Sequence, residues 1–208
     1  HTRSLCDWSS DVCSSDLKKV ILASGSAYRR ELLSRILTDF DVLVPGIDED
    51  AIKNSGQSPL RVACTLASMK ADAVARLHPQ DIVIGSDQLV DLDGTTLGKP
   101  GTAEQCCHQL QAMSGRIHRL ITAVCVVTAD DRYEFAELIE MRMRKLQPAE
   151  IQRYVDRDAP LDCAGSYRIE SAGIALFDAI RTTDSTAIIG LPLLRLSAVL
   201  RNLGVAIP

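Results

Sequence analysis

The sequence predicts an α/β protein with a mixed β-sheet, and three observations predict it. Short apolar runs alternate with helical spacings through the first half of the chain, long strands and hairpins dominate the middle, and one amphipathic helix closes the end. Strand-helix alternation argues for parallel pairing and hairpins argue for antiparallel pairing, so the two together give a mixed sheet.

The elements follow in order. Val20-Ile-Leu-Ala23 is an apolar run ending at Ser24-Gly25-Ser26, and Leu32, Leu33, Ile36 and Leu37 then recur at helical spacing, which reads as strand, loop, helix. Residues 40–44 are a second strand candidate stopped by Pro45-Gly46, and Ile47-Asp48-Glu49-Asp50 reads as an acidic loop. Ser58-Pro59 pairs a cap with a first-turn proline and opens a helix with Val62, Leu66, Met69 and Ala73 on one face; this helix carries Lys70. Asp81-Ile-Val-Ile-Gly85 has the character of a buried strand, with Ser86-Asp87-Gln88 just after it and a hairpin turning at Asp93-Gly94. Gly98-Lys99-Pro100 leaves the hairpin, and Thr102 with Gln105 forms a capping box for a helix reaching Met113.

A long strand over residues 117–128 turns at Asp130-Asp131 into another, where Ile139, Met141 and Met143 alternate with Glu140, Arg142 and Arg144. Pro148 opens a short helix to about residue 155. Residues 163–170 form a polar loop leading to a strand over residues 173–177, and the last helix, about residues 192–203, closes on Gly204 in a left-handed cap.

Composition narrows the function. A chain of 208 residues that is 46% hydrophobic and 24% charged is neither disordered nor fibrous, and it is long enough for a sizeable core. A net charge of -4 supplies no global basic field, so neither nucleic acid nor an anionic membrane is an expected partner, and any anion site must be local. The apolar stretches fall far short of the ~18 residues that span a bilayer. Residues 1–16 are rich in Ser, Asp and Cys, lack periodicity and lack the features of a secretory signal, so they read as a non-native leader ahead of one domain over residues 17–208. Outside that leader, Cys64, Cys106, Cys107, Cys125 and Cys163 show no CxxC spacing, which suits reduced thiols in a cytoplasm.

No P-loop, GxGxxG turn, GxSxG elbow or HExxH motif is present, and the scattered histidines argue against a histidine metal site or base. What remains are polar residues at the carboxyl ends of expected strands, where open α/β sheets bind ligands. Ser24, Ser26, Arg29 and Arg30 at a helix start suit a phosphate cradle, or else a capped helix with solvated arginines. Asp48, Glu49 and Asp50 offer hard oxygens for Mg²⁺ or Mn²⁺, or else form a solvated loop. Asp87, following an apolar strand, is a candidate base or metal ligand, or else a turn residue. Lys70 and Lys99 can supply point charges to phosphates, or lie on the surface.

Taken jointly, Ala23-Ser-Gly-Ser-Ala-Tyr-Arg-Arg-Glu-Leu-Leu33, Ile47-Asp-Glu49, Lys70-Ala71, Gly85-Ser-Asp-Gln88, Gly98-Lys-Pro100, Cys163-Ala-Gly-Ser-Tyr-Arg-Ile-Glu170 and Gly190-Leu-Pro192 resemble the Maf family of nucleoside triphosphate pyrophosphatases. The resemblance runs from about Lys18 to the C-terminus. It implies hydrolysis between the α and β phosphates of a nucleotide with a divalent cation, Mg²⁺ or Mn²⁺, and an elongated mixed sheet flanked by helices with a central cleft between two lobes, as in the inosine triphosphate pyrophosphatases. By position, Asp87 corresponds to the proton acceptor and, with Glu49, to the metal side. Ser24, Ser26, Arg29, Arg30, Lys70 and Lys99 correspond to the substrate-binding side. The resemblance is compatible with a homodimer.

Family members carrying Ser-Asp-Gln around this aspartate, as Ser86-Asp87-Gln88 does here, resemble the subfamily acting on 7-methyl-GTP, whereas Ala-Asp-Thr accompanies dTTP and UTP. Tyr28, Gln88 and Glu170 match the specificity positions. Tyr28 stands where a tryptophan is common, and Tyr-Arg-Ile-Glu replaces a Phe-Lys-Ser-Glu type of sequence. An aromatic ring stacks more strongly on a cationic methylated guanine, and a carboxylate favours its charge. The alternatives are a dTTP/UTP or broader non-canonical nucleotide pyrophosphatase, and a nucleotide-binding regulator of septum formation.

Overall fold

The computed structural model describes residues 18–208, and the leader expected over residues 1–16 falls outside them. Every residue of β1 (Val20–Ala23) is buried, as its uninterrupted apolar run requires of a strand covered on both faces. It lies between β2 (Asp41–Leu43) and β3 (Ile82–Leu92), parallel to both. Beyond β3 the sheet is antiparallel, continuing through β5 (Ile117–Val127), β6 (Arg132–Met143) and β7 (Phe177–Arg181). The expected hairpin at Asp93-Gly94 folds β4 (Thr95–Leu97) back onto the far end of β3, completing a seven-stranded mixed sheet.

Seven helices among the described residues flank it. α1 (Ala27–Ser34), α2 (Glu49–Lys53) and α3 (Pro59–Ala75) precede β3; α4 (Ala103–Met113) precedes β5 and α5 (Pro148–Asp158) follows β6; α6 (Thr186–Ile189) and α7 (Leu193–Asn202) follow β7. None of the helices among the described residues is long and apolar enough to cross a membrane.

Successive residues of β1 face opposite sides of the sheet, and each side has its own core. Ile21 and Ala23 pack with Val83 and Leu89 under Val62, Leu66 and Ala71 of α3. Val20 and Leu22 pack with Ile84 and Val124 under Leu32 and Leu33 of α1 and Leu196 and Leu200 of α7. A third core gathers Val90, Leu92, Leu120 and Met141 with Leu110 of α4 and Ile151 of α5. Each fully buried Leu or Ile contributes about 1.5–3 kcal/mol. The first two cores make one lobe and the third makes the other, and β3, β5 and β6 run through both.

β3 is the element that positions the site. Along one edge it pairs with β5 without a break from Val83 to Asp91. Along the other it pairs with β1 up to Gly85 and with β4 from Val90 onward. Residues 86–89 therefore have one open edge, between the two lobes.

Gly85 governs how closely α3 approaches this strand. A Cβ built there would lie 2.2 Å from the carbonyl oxygen of Ala67 and 2.6 Å from the amide of Ala71, both backbone atoms that cannot swing away. The helix thus rests directly on the backbone of the strand.

Four readings of the sequence change. Ser86-Asp87-Gln88 does not follow a strand but lies inside β3, because the unbroken β5 ladder carries the polar triplet across the sheet. The acidic segment is not a loop: Asp48 accepts from the amides of Asp50 and Ala51 and caps α2. The strand expected over residues 173–177 is a 3₁₀ turn over Ala172–Leu176, with β7 starting only at Phe177. Gly173 is pressed against the Arg168 backbone, where a Cβ would meet its carbonyl oxygen at 2.3 Å. Finally, α5 runs three residues beyond its expected end, helped by reciprocal capping between Gln147 and Glu150.

Gly85→Ala is expected to destabilise the chain by about 1–3 kcal/mol, the usual cost of overpacking. Gly46→Ala, where nothing lies within 4 Å of the added carbon, should leave stability nearly unchanged. Urea unfolding followed by circular dichroism checks both.

Candidate functional site

Because side chains alternate along β3, the Ser86-Asp87-Gln88 triplet is divided between the two faces of the sheet. Asp87 points to the α3 side. Its Oδ1 accepts a hydrogen bond from Lys70 Nζ at 2.7 Å, and both side chains are nearly sealed, Lys70 at 8% and Asp87 at 6% exposure. The same ammonium lies 2.7 Å from Glu49 Oε1. Lys53, one turn along α2, donates to Glu49 Oε2 at 2.6 Å. Burial alone would raise the Glu49 carboxyl, but the hydrogen bonds from Lys53 and Lys70 overcome it and hold the group down to about 2.

Ser86 and Gln88 point to the other face. Ser86 donates through Oγ to the carbonyl of Gly190 at 3.2 Å, and Arg29 Nε donates to the same oxygen at 2.9 Å. Gly190 therefore ties α1, β3 and the end of α6 together. Ser24, also buried, accepts from Arg29 Nη1 and from the Ser26 amide, while Ser26 caps α1 by accepting from the Arg29 amide. Burial lowers the Arg29 guanidinium from its ordinary value, and the opposing electrostatic pull comes from Asp87 and Glu49. Gln88 Nε2 lies 2.9–3.0 Å from Thr122 Oγ1 and the carbonyls of Ala187 and Ile188, fixing the α6 segment against the strand.

A cleft of about 240 Å³ opens on this second face. Ser26, Tyr28, Arg29, Gln88, Lys99 and Glu170 all line it, together with apolar walls from Leu120, Tyr167, Ile169, Ile188 and Ile189. Lys99 and Glu170 are exposed at its surface, and neither has an ion-pair partner among the described residues. The Asp87–Lys70–Glu49 group is not part of the lining. It lies across β3, reached past the open edge at residues 86–89, with Arg29 bridging the two electrostatically.

One expected residue falls outside. Arg30 is exposed and makes neither the hydrogen bonds nor the cleft contacts of its neighbour. Consecutive helix residues diverge by about 100°, so only one arginine of the pair can turn inward. The sequence reading also passed over the residues that hold the frame. Asp184, 5% exposed, accepts through Oδ1 from Thr186 and through Oδ2 from the Leu194 amide, capping α6 and the start of α7 together. The run Thr182-Thr-Asp-Ser-Thr186 is dense in capping residues, and that was the available signal.

The Maf-like protein family matches residues 19–203 of the sequence. The chain belongs to the Maf family. Among curated Maf relatives, it is similar to the 7-methyl-GTP pyrophosphatase of Xanthomonas oryzae pv. oryzae, 50% identical over 92% of this chain and 100% of that one. The protein of the same name from Bdellovibrio bacteriovorus is 46% identical over 89% of this chain and 97% of that one. A HAM1 protein from Coxiella burnetii is similar in structure at 14% identity with a TM-score of 0.46, covering 89% of this chain and 100% of that chain. In this Maf chain the quoted motifs meet around one strand edge despite lying far apart in sequence. Residues 23–33 bring Arg29, residues 85–88 bring Asp87, residues 98–100 and 163–170 form the cleft rim, and residues 190–192 supply the carbonyl that anchors Arg29.

Below the cleft wall, His118 is buried, with Nε2 3.1 Å from the Tyr167 hydroxyl. Desolvation pushes the His118 imidazole down to about 4. The unfolded chain then takes up the proton first, so the stability contributed by the neutral ring is complete above the ordinary value of 6.5 and declines as the pH falls towards 4. Urea unfolding across that window should lose up to about 3 kcal/mol, and His118→Phe should flatten the dependence. At the other face, Lys70→Met leaves two carboxylates facing each other without their shared cation. A loss of about 3–5 kcal/mol is expected, with Lys70→Met/Asp87→Asn recovering part of it in the same assay.

Proposed function

We propose that this chain hydrolyses 7-methyl-GTP to 7-methyl-GMP and pyrophosphate. The observation that carries the reading is the position of Asp87, a buried carboxylate held by Lys70 at the open edge of β3, with a nucleotide-sized cleft on the adjoining face. The names of the 7-methyl-GTP pyrophosphatases to which it is similar and the Ser86-Asp87-Gln88 sequence support the choice of substrate.

Each part of the substrate has a chemical counterpart. The base enters the cleft between Tyr28 and the apolar wall of Ile188 and Ile189, near the Glu170 carboxylate. The triphosphate passes the open edge of β3, where Arg29, Lys99 and Lys70 face it with positive charge. Phosphoryl transfer asks a protein mainly for positioning and charge neutralisation, and these cations provide both. Lys70 orients Asp87 through Oδ1, while Oδ2 has no hydrogen-bond partner among the described residues. Asp87 therefore accepts the proton of the attacking water at Oδ2, and the Lys70 ammonium steadies the carboxylate as that proton arrives.

The donor set also fits a divalent cation. Glu49 and Asp87 supply hard oxygens, and Mg²⁺ is commonly held by one or two carboxylates together with substrate phosphates. The described residues contain no group of three or more His, Cys, Asp or Glu side chains able to hold such an ion alone, so the nucleotide would complete its shell. When bound, Mg²⁺ or Mn²⁺ neutralises charge on the phosphates. The free state of Cys64, Cys106, Cys107, Cys125 and Cys163 supports work in a reducing cytoplasm.

Pyrophosphate release from a panel of 7-methyl-GTP, GTP, dTTP and UTP tests the assignment, and faster turnover of dTTP or UTP than of 7-methyl-GTP overturns it. Asp87→Asn should lower kcat about a thousandfold while nucleotide binding is largely kept. Arg29→Gln should raise KM, whereas Arg30→Gln, on the outer face of α1, should match the wild-type chain.

A further inference from the structure

The cleft rim carries a charge arrangement that the proposed reaction does not use. Glu170 and Asp162 both line the opening and both are exposed. Arg168 does not line it, but its guanidinium carbon lies 5.5 Å from the centroid of the Tyr28 ring, and its Nη2 is 3.5 Å from Asp162 Oδ1. The Nε of Arg168 is buried and has no hydrogen-bond partner. Asp162 is thus the one carboxylate within ion-pair distance of a cation that already occupies the aromatic ring.

The two closest competing substrates make this arrangement matter. 7-Methylguanine and guanine share their hydrogen-bonding edge almost entirely, and they differ in one methyl group and in the positive charge that methylation confers. A hydrophobic pocket gains only about tenfold or so from a single methyl. The rest of the discrimination must come from charge. A cation already poised over Tyr28 opposes a second cation stacking on the same ring, unless something offsets it.

We propose that Asp162 is a specificity-determining residue: by offsetting Arg168 beside the Tyr28 ring it relieves the positive charge there and selects a positively charged purine over its neutral counterpart. This rests on the base assignment made above. With Asp162 present, the Asp162–Arg168 pair beside Tyr28 is neutral. Without it, the guanidinium stands uncompensated at the ring and the preference for a cationic base weakens. The Tyr28 hydroxyl registers the same neighbours: it is pushed up to about 12, chiefly by burial and then by Cys163 and Asp162, with Arg168 pulling the other way.

Equilibrium binding of 7-methyl-GMP and GMP, measured by calorimetry at mildly acidic pH where the methylated ring is cationic, tests this without any turnover. Asp162→Asn should lower the ratio of the two affinities about three- to tenfold, as expected for one exposed charge, and the effect should fade in high salt. Arg168→Gln should move the ratio the opposite way, and the double variant should return close to the wild-type ratio. Asp162 is exposed and Arg168 partly buried, so each variant is first shown to fold by circular dichroism and an unchanged melting temperature. An unchanged ratio in Asp162→Asn, or an equal loss for both nucleotides, overturns the role of Asp162. A wild-type ratio at or below one overturns the base assignment instead, and failure to bind either nucleotide overturns both.

Discussion

The contact that everything else depends on is the seating of α3 on the backbone of β3 at Gly85. A side chain of any size there would hold the helix off the strand. Lys70 immediately precedes Ala71, whose amide and Cβ are the atoms Gly85 admits, and Asp87 lies two residues further along the same face of the strand. Close approach at one point therefore sets the 2.7 Å bond between Lys70 and Asp87. The geometry of the charged group follows from a missing side chain rather than from the charges themselves, which would repel or drift if the helix sat further out.

Alternation along one strand then divides the labour. Asp87 goes to the helix side, with Lys70 and Glu49, while Ser86 and Gln88 go to the cleft side, with Gly190 and the α6 carbonyls. A ligand must cross the edge of the sheet to meet both groups, and it can do so only because β1 ends its pairing at Gly85 and β4 begins at Val90. Arg29 stands at that crossing. It is anchored on one side by Gly190 and Ser24 and electrostatically coupled on the other to Asp87 and Glu49.

Much of this was legible in the sequence, for identifiable reasons. Apolar periodicity exposed β1, α3 and the long strands, and the Asp93-Gly94 hairpin announced itself through turn chemistry. Asp87 stood out after an apolar strand and Arg29 at a helix start, whereas Lys70 and Lys99 were singled out chiefly by the family resemblance. The failures share one cause: local signals do not record which partner a segment finds. A polar triplet looks like a strand end until β5 is seen pairing straight through it, and Arg30 looks equivalent to Arg29 until the helix turns it outward. Asp184 was missed because it caps two helices, the second of which begins nine residues later.

The continuity of β3, β5 and β6 through both lobes has a mechanical meaning. A protein whose halves are joined by a loose connector can swing shut around a ligand, but here the β3–β5 ladder runs unbroken from Val83 to Asp91 and the β5–β6 ladder from Ile117 to Val127 across the boundary. Closing such a molecule requires bending or twisting a three-stranded ribbon, a stiff deformation that stores elastic energy and returns it on release. Adaptation to cargo of different width must then fall to the surface segments around the opening, chiefly residues 98–102 and 162–170, while the floor holds its shape.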